Sequence, residues 1–359
     1  MKTVAIRTDA SSRIGTGHVM RCLTLADQLR GRAECVFITR ERAGNLADVI
    51  RQRGHRVVCL PPTSAADDAE RAGHSGWLGV DWQTDAQDTL AALAPLGADW
   101  LVVDHYGIDG RWESAVARGR LRVLAIDDLA DRPHAANILV DQNPGRLPSH
   151  YAALVPHDCT VLAGPQYALL GPRFAVLRPT SLQRRRQGAL RQVMVSLGGV
   201  DAGNVTSEVL RILRTCSLPP DASIVVALGP HAPWAEAVRA EAARMPWPTD
   251  VRINVADMAA LMSASDVAIG AAGTTALERC CLGLPALAVV LAENQRPGAK
   301  ALAAAGAILA VDLDKLPEDL PGKLQLLQDS AKRLDVALAA SALTDGCGAP
   351  RVAEVLLDA

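Results

Sequence analysis

The stretch Ile14-Gly15-Thr16-Gly17-His18-Val19-Met20-Arg21 decides how the chain is read. It follows Lys2-Thr3-Val4-Ala5-Ile6-Arg7-Thr8, which reads as a short buried strand. It precedes Cys22-Leu23-Thr24-Leu25-Ala26-Asp27-Gln28-Leu29, apolar at helical spacing. A glycine-rich turn between strand and helix offers backbone N–H groups and the positive helix end to an anion. Gly15 and Gly17 let a ligand approach the backbone closely. His18 stands where the turn becomes helix, and its imidazole has the ordinary pKa nearest neutrality. Two readings of His18 stand side by side: a proton-transfer group in an anion-friendly mouth, or a residue that caps the helix and packs. The dinucleotide fingerprint is excluded, because His18-Val19-Met20 follows Gly17 and no third glycine arrives on schedule.

Outward from this stretch, strands and helices alternate to about residue 165. Strands are predicted at 3–8, 34–39, 56–60, 100–104, 122–126 and 137–140. The pattern then breaks at Gly164-Pro165, Gly171-Pro172, Pro179 and Arg184-Arg185-Arg186, which reads as a connector with a solvated arginine run. A second alternation begins at Gln192, with strands predicted at 192–197, 223–228, 251–254, 266–269 and 286–291 and a mostly helical tail. The predicted fold class is therefore α/β, with two doubly wound, Rossmann-like domains facing across a cleft. The predicted boundaries are 1–165 for the domain carrying His18, 166–190 for the connector, 191–345 for the second domain and 346–359 for a C-terminal helix.

Composition narrows the partners. The 359 residues are 49% hydrophobic and 21% charged with a formal net charge of -2, which favours neither nucleic acid nor an anionic membrane. No apolar run reaches the ~20 residues of a membrane span, and the chain opens on a strand without a signal-peptide pattern. Eight cysteines, with no CxxC and no zinc-like spacing, predict reduced thiols in a cytoplasmic protein. Neither a cofactor nor a metal is predicted, and the protein is expected to be a monomer or weak oligomer.

Further candidates lie at other strand ends. Leu197-Gly198-Gly199-Val200-Asp201 opens the second domain as Gly15-Thr16-Gly17 opens the first, with bare backbone suited to a phosphate. In Gly270-Ala271-Ala272-Gly273-Thr274-Thr275-Ala276-Leu277-Glu278, the hydroxyls of Thr274 and Thr275 are placed to cap a helix and touch phosphate. Glu278 is placed to accept ribose hydroxyls; a solvated helix face is the alternative. Asn294 and Gln295 pair amides suited to sugar hydroxyls and acetamido groups. Of Asp104-His105-Tyr106, alternation forbids all three from sharing a face, and Tyr106 is chosen for substrate contact. Asp127-Asp128 reads as structural capping.

Together these residues resemble the UDP-2,4-diacetamido-2,4,6-trideoxy-β-L-altropyranose hydrolases of pseudaminic acid biosynthesis, within the GT-B superfamily. The resemblance rests on Arg7-Thr8-Asp9 with Ile14 through Leu23, Val103-Asp104-His105-Tyr106-Gly107, Gly164-Pro165-Gln166-Tyr167, Leu197-Gly198-Gly199-Val200-Asp201, Gly273-Thr274-Thr275 with Glu278, and Asn294-Gln295. It implies metal-independent hydrolysis of a UDP-sugar by water attack at the anomeric carbon, with inversion. The family's catalytic base falls on His18. Substrate contacts fall on Gly15, Gly17, Arg21, Tyr106, Asn294 and Gln295, and UDP contacts on Gly198, Gly199, Gly273, Thr274, Thr275 and Glu278. The alternatives are a GT-B glycosyltransferase with a UDP-sugar donor and a non-catalytic nucleotide-sugar binding module.

Overall fold

Runs such as Val4-Ala5-Ile6 and Trp100-Leu101-Val102-Val103 have no polar face, so their strands must be covered on both sides. The computed structural model, which describes residues 1–11, 14–62, 74–230 and 232–359, builds two parallel sheets from such runs. The chain divides into one unit of Met1–Leu169 with Cys347–Ala359 and a second of Leu170–Gly346.

In the first unit the strands are β1 Lys2–Thr8, β2 Ala33–Arg40, β3 Arg56–Leu60, β4 Trp100–Asp104, β5 Arg122–Ile126, β6 Ile138–Asp141 and β7 Thr160–Ala163. Their order is β3-β2-β1-β4-β5-β6-β7, all parallel. Side chains alternate between two cores. Val4, Ile6, Trp100 and Val102 face one, and Ala5, Leu101 and Val103 the other. Strand order reverses between β1 and β4, where Thr8 is registered with Asp104, and the loops leaving this switch point carry the site. The helix Gly348–Asp358 returns to this unit. Its Val352 and Leu356 join the core of the helix Gly17–Leu29, and Leu357 O accepts from Lys2 Nζ at 2.6 Å. Residues 63–73 lie outside the described residues, and His74–Leu78 forms a short 3-10 helix.

In the second unit the strands are β8 Gln192–Ser196, β9 Ser223–Leu228, β10 Thr249–Ile253, β11 Val267–Ala271, β12 Ala286–Val290 and β13 Leu309–Asp312. The order β10-β9-β8-β11-β12-β13 reverses between β8 and β11, so both glycine loops of this unit leave its switch point. Among the described residues no helix is long and apolar enough to cross a membrane.

The stretch read as a connector holds a 14-residue helix, Pro172–Arg185, with proline at its first position, where the missing N–H costs nothing. The arginine run is not a solvated linker. Arg185 is buried and donates to the carbonyls of Ser265 and Met262, and Arg184 pairs with Asp266 at 2.9 Å. Only Arg186 of the three is exposed. A guanidinium has enough donors to satisfy several carbonyls at once, which is why it is tolerated here.

Gly229, just past β9, is pressed against the first glycine loop of this unit. A Cβ on it would stand 2.0 Å from the carbonyl oxygen of Gly199. Gly229→Ala must push two backbone segments apart. The expected loss is roughly 1–3 kcal/mol, the usual cost of overpacking, read as a lower urea midpoint; an unchanged midpoint would mean that the Gly199 loop yields freely.

Candidate active site

The turn after β1 is held by its own backbone and by Ser11. Gly15 N donates to Ser11 O at 2.8 Å and Ile14 N to Ser11 Oγ at 3.0 Å, with Gly15 at φ 83°. That left-handed value is why glycine stands there. The turn delivers His18 as the second residue of the helix Gly17–Leu29, with its side chain nearly buried at 8% exposure.

His18 turns its ring to the end of β4. Its Nδ1 lies 2.7 Å from Asp104 Oδ1. Asp104 is fully buried and surrounded by donors. Oδ1 also accepts from Arg21 Nη2 at 2.7 Å, and Oδ2 accepts from Arg21 Nε at 2.6 Å and Cys22 Sγ at 3.5 Å. Burial alone would raise the pKa of this carboxyl, but Arg21 and then His18 hold it well below the usual carboxylate range. An ionised carboxylate only accepts, so the shared proton belongs to Nδ1, and Nε2 of the neutral ring is the acceptor. This is the arrangement of an oriented general base.

Tyr106 comes to the same place. Its ring packs edge-on against His18 at 4.6 Å and stacks on Trp77 at 5.2 Å. Its hydroxyl donates to Asp128 Oδ2 at 2.7 Å, and burial followed by the Asp128 charge raises its pKa, so it stays a donor. Asp128 also stands 2.7 Å from Arg21 Nη1. Two expectations change here. Arg21, expected to touch substrate, is only 6% exposed and faces two carboxylates with its guanidinium. Asp128, read with Asp127 as capping, is tied to Arg21 and Tyr106. Asp127 does act structurally, accepting from Ala130 N at 2.7 Å and Tyr151 OH at 2.9 Å.

His105, between the two site residues, faces away from them. Its Nδ1 accepts from Gly107 N at 3.0 Å and its Nε2 lies 3.5 Å from Asp9 Oδ2. Asp9 belongs to a buried lattice in which Arg7 bonds both Asp9 and Asp85, and Arg40 bonds Asp85. Burial pulls the His105 pKa down to about 4, so this ring is neutral at physiological pH.

In the second unit the loop after β8 is exposed at Gly198-Gly199-Val200. The start of the following helix, Val205–Leu213, is already served. Asp201 accepts from Val205 N and Thr206 N, both at 2.9 Å, with Asp201 and Asn204 at φ 45° and 54°. The expectation that this helix start lies bare for a phosphate is therefore corrected. What remains open is the backbone at Gly198 and Gly199.

Past β11, Thr274 is exposed and makes no capping bond, against expectation, and Thr275 Oγ1 accepts from Arg279 Nη1 at 3.3 Å. Arg279, which sequence reasoning passed over, is buried and donates to Ala271 O at 2.6 Å. It fills the space above Gly270, where a Cβ would meet its Nη1 at 2.5 Å. Gln295 is anchored, its Oε1 accepting from Leu291 N at 3.0 Å, and its Nε2 faces Gly273, while Asn294 is exposed. Glu278 is half-buried, and burial pushes its pKa up to about 7 against the pull of Arg279. Among the described residues no group of three or more His, Cys, Asp or Glu stands close enough to hold a metal.

Residues 211–346, within the second unit, match the Glycosyltransferase family 28 C-terminal domain. The uncharacterized protein MJ1062 of Methanocaldococcus jannaschii is 25% identical over 299 residues, 82% of this chain and 56% of that protein. The spore coat polysaccharide biosynthesis protein SpsG of Bacillus subtilis is 29% identical over 201 residues, 55% of this chain and 58% of its own length. The UDP-2,4-diacetamido-2,4,6-trideoxy-beta-L-altropyranose hydrolase of Campylobacter jejuni is 25% identical over 207 residues, 57% of this chain and 64% of its own length. The chain thus spans from just over half to just under two thirds of the relatives it matches. Among solved structures, MurG of Acinetobacter baumannii superposes with TM-score 0.73 at 16% identity, and Anabaena HepE in complex with UDP and glucose with 0.58 at 14%, each over 100% of both chains. The architecture is the GT-B fold of two Rossmann-like domains, as the sequence predicts.

Glu278 offers a test in the protein without ligand. Its carboxyl keeps its proton to a higher pH in the folded chain than its ordinary value of 4.5 allows in the unfolded one. Its share of stability is therefore full below that ordinary value and is lost as the pH rises towards and through about 7. Glu278→Gln should raise the melting temperature more at pH 8 than at pH 5. An equal shift at both would return Glu278 to an ordinary solvated glutamate.

Proposed function

We propose that this protein hydrolyses a UDP-linked 2,4-diacetamido-2,4,6-trideoxyhexose to free sugar and UDP, a step of pseudaminic acid (nonulosonate) biosynthesis. The observation that carries the reading is the His18–Asp104 pair at 2.7 Å, which fixes the ring so that Nε2 is left to accept a proton. The distant likeness to the C. jejuni hydrolase supports the substrate class.

In this reading a water attacks the anomeric carbon. Its oxygen bonds to that carbon, the bond from the carbon to the UDP oxygen breaks with its electrons going to the diphosphate, and configuration inverts. The water's proton goes to His18 Nε2, and Asp104 stabilises the imidazolium through Nδ1–H. UDP is a good leaving group and needs little acid help. Gly198, Gly199, Gly273, Thr274 and Thr275 are proposed to hold the diphosphate through backbone N–H groups and hydroxyls, with Glu278 on the ribose. Tyr106 and Asn294 are assigned to the sugar. Tyr106 reaches it while its hydroxyl stays on Asp128.

A glycosyltransferase is the second reading, favoured by the family 28 match over 211–346 and the fold likeness to MurG. There the same base would take its proton from a sugar hydroxyl. Protein mixed with UDP-sugar and no acceptor separates the two. The hydrolase releases free sugar and UDP in equal amounts; a transferase stays nearly idle, and a binding module gives heat of binding without product.

His18→Asn should keep the fold and UDP affinity and lower turnover by ~10²–10⁴, the usual worth of a positioned acid–base group. Reaction in ¹⁸O-water should label the sugar. Label in UDP would mean attack at phosphorus, and full activity in His18→Asn would remove the residue from the mechanism. Turnover is also expected to survive excess EDTA, and rescue of a lost rate by Mg²⁺ would overturn the backbone account of the leaving group.

A further inference from the structure

Arg21 lies three residues after His18 on the same helix, so both side chains leave the same face. Its guanidinium meets two carboxylates from neighbouring strands. Nε and Nη2 fork onto Asp104 at 2.6 and 2.7 Å, at the end of β4, and Nη1 stands 2.7 Å from Asp128, just past β5. Each carboxylate holds one further side chain of the site. Asp104 holds the His18 imidazole and Asp128 the Tyr106 phenol, both at 2.7 Å. We propose that Arg21 is a positioning residue that sets His18 and Tyr106 as one unit, by tying together the carboxylates that hold them. The catalytic part of this inference rests on the hydrolase reading; the structural part does not.

Three physical points support it. Asp104 and Asp128 are both nearly or fully buried, and two such carboxylates would repel without a cation between them. A guanidinium fits the task because its planar fork binds Asp104 in fixed directions through Nε and Nη2 while Nη1 carries the same charge to Asp128 as an ion pair, whereas an ammonium is a point charge on a flexible stem. By formal count, two carboxylates and one guanidinium leave one negative charge facing the His18 ring, so an imidazolium formed there is paired, while Arg21 keeps the two carboxylates from repelling each other.

The test compares Arg21→Lys, Tyr106→Phe and the double variant. Arg21→Lys is expected to bind UDP as the parent does, by calorimetry, with KM within about twofold and kcat lower by roughly 10- to 100-fold, the scale of a small misplacement. The double variant should fall no further than Arg21→Lys, because the phenol has already lost its anchor. In ¹⁵N-histidine spectra, assigned with His18→Asn, the His18 Nδ1–H signal should move in Arg21→Lys while the other imidazoles stay. A raised KM with unchanged kcat would make Arg21 a substrate contact and overturn the proposal, as would additive losses or an unmoved Nδ1–H signal. If Arg21→Lys does not fold, Asp128→Asn takes its place. It should keep the His18 signal and abolish the further effect of Tyr106→Phe; an undiminished Tyr106→Phe effect would overturn the coupling. If the parent protein hydrolyses no UDP-sugar, the hydrolase reading fails, and the spectra still decide the clamp.

Discussion

The site of the first unit depends on one buried carboxylate, Asp104. Its four acceptor directions are taken by His18, Arg21 twice and Cys22, all from one helix. That arrangement requires β1 and β4 to be neighbours, Gly15 to take a left-handed turn, and the helix to start at Gly17. Buried ion pairs of this kind add little net stability, yet removing one partner is costly, commonly ~3–5 kcal/mol. Their effect is to penalise every nearby alternative geometry, so Asp104 fixes the angle of the His18 ring more than it holds up the fold.

The second unit achieves placement differently. Gly229 lets two backbone segments touch, Gly270 makes room for Arg279, and Asp201 satisfies the helix start that follows the Gly198-Gly199 turn. Fixed charge is scarce around these loops, and the half-buried Glu278 carries the perturbed carboxyl. Bare backbone and a carboxyl whose pKa burial raises to about 7 suit a ligand that brings its own negative charge and its own hydroxyls. The first unit, in contrast, carries its own set of paired charges.

Much of this was legible in the sequence, for identifiable reasons. Strands buried on both faces, such as 100–104, 122–126 and 223–228, are largely continuous apolar runs whose ends agree with prediction. The unpredicted strands, Thr160–Ala163 and Leu309–Asp312, each have four residues and lie at sheet edges, where one neighbour suffices and the run is weak. The helix Pro172–Arg185 was hidden by prolines and arginines that read as linker until their carbonyl partners are seen. Asp104 and His18 stand 86 residues apart, so their meeting depends on strand order. The signal that could have found Asp104 is its place as the acid closing an apolar run beside the switch point.

The buried cations among the described residues are all arginines: Arg7, Arg21, Arg40, Arg185, Arg279 and Arg333. They divide into two physical classes. Arg185, Arg279 and Arg333 spend their donors on backbone carbonyls. Burial there outweighs attraction and lowers their pKa, that of Arg185 to about 10. Arg7, Arg21 and Arg40 meet carboxylates; although burial opposes the charge, the paired acids raise the pKa of Arg7 and Arg21 instead. The first class closes chain ends and loops. The second creates low-dielectric regions of paired charge, where a further proton is strongly felt. The Arg7 lattice is sealed, with His105 neutral beside it, whereas the Arg21 cluster includes an imidazole that is only nearly buried. The proposed proton transfer belongs to the Arg21 cluster, because that cluster joins paired charge to an imidazole that is not fully sealed.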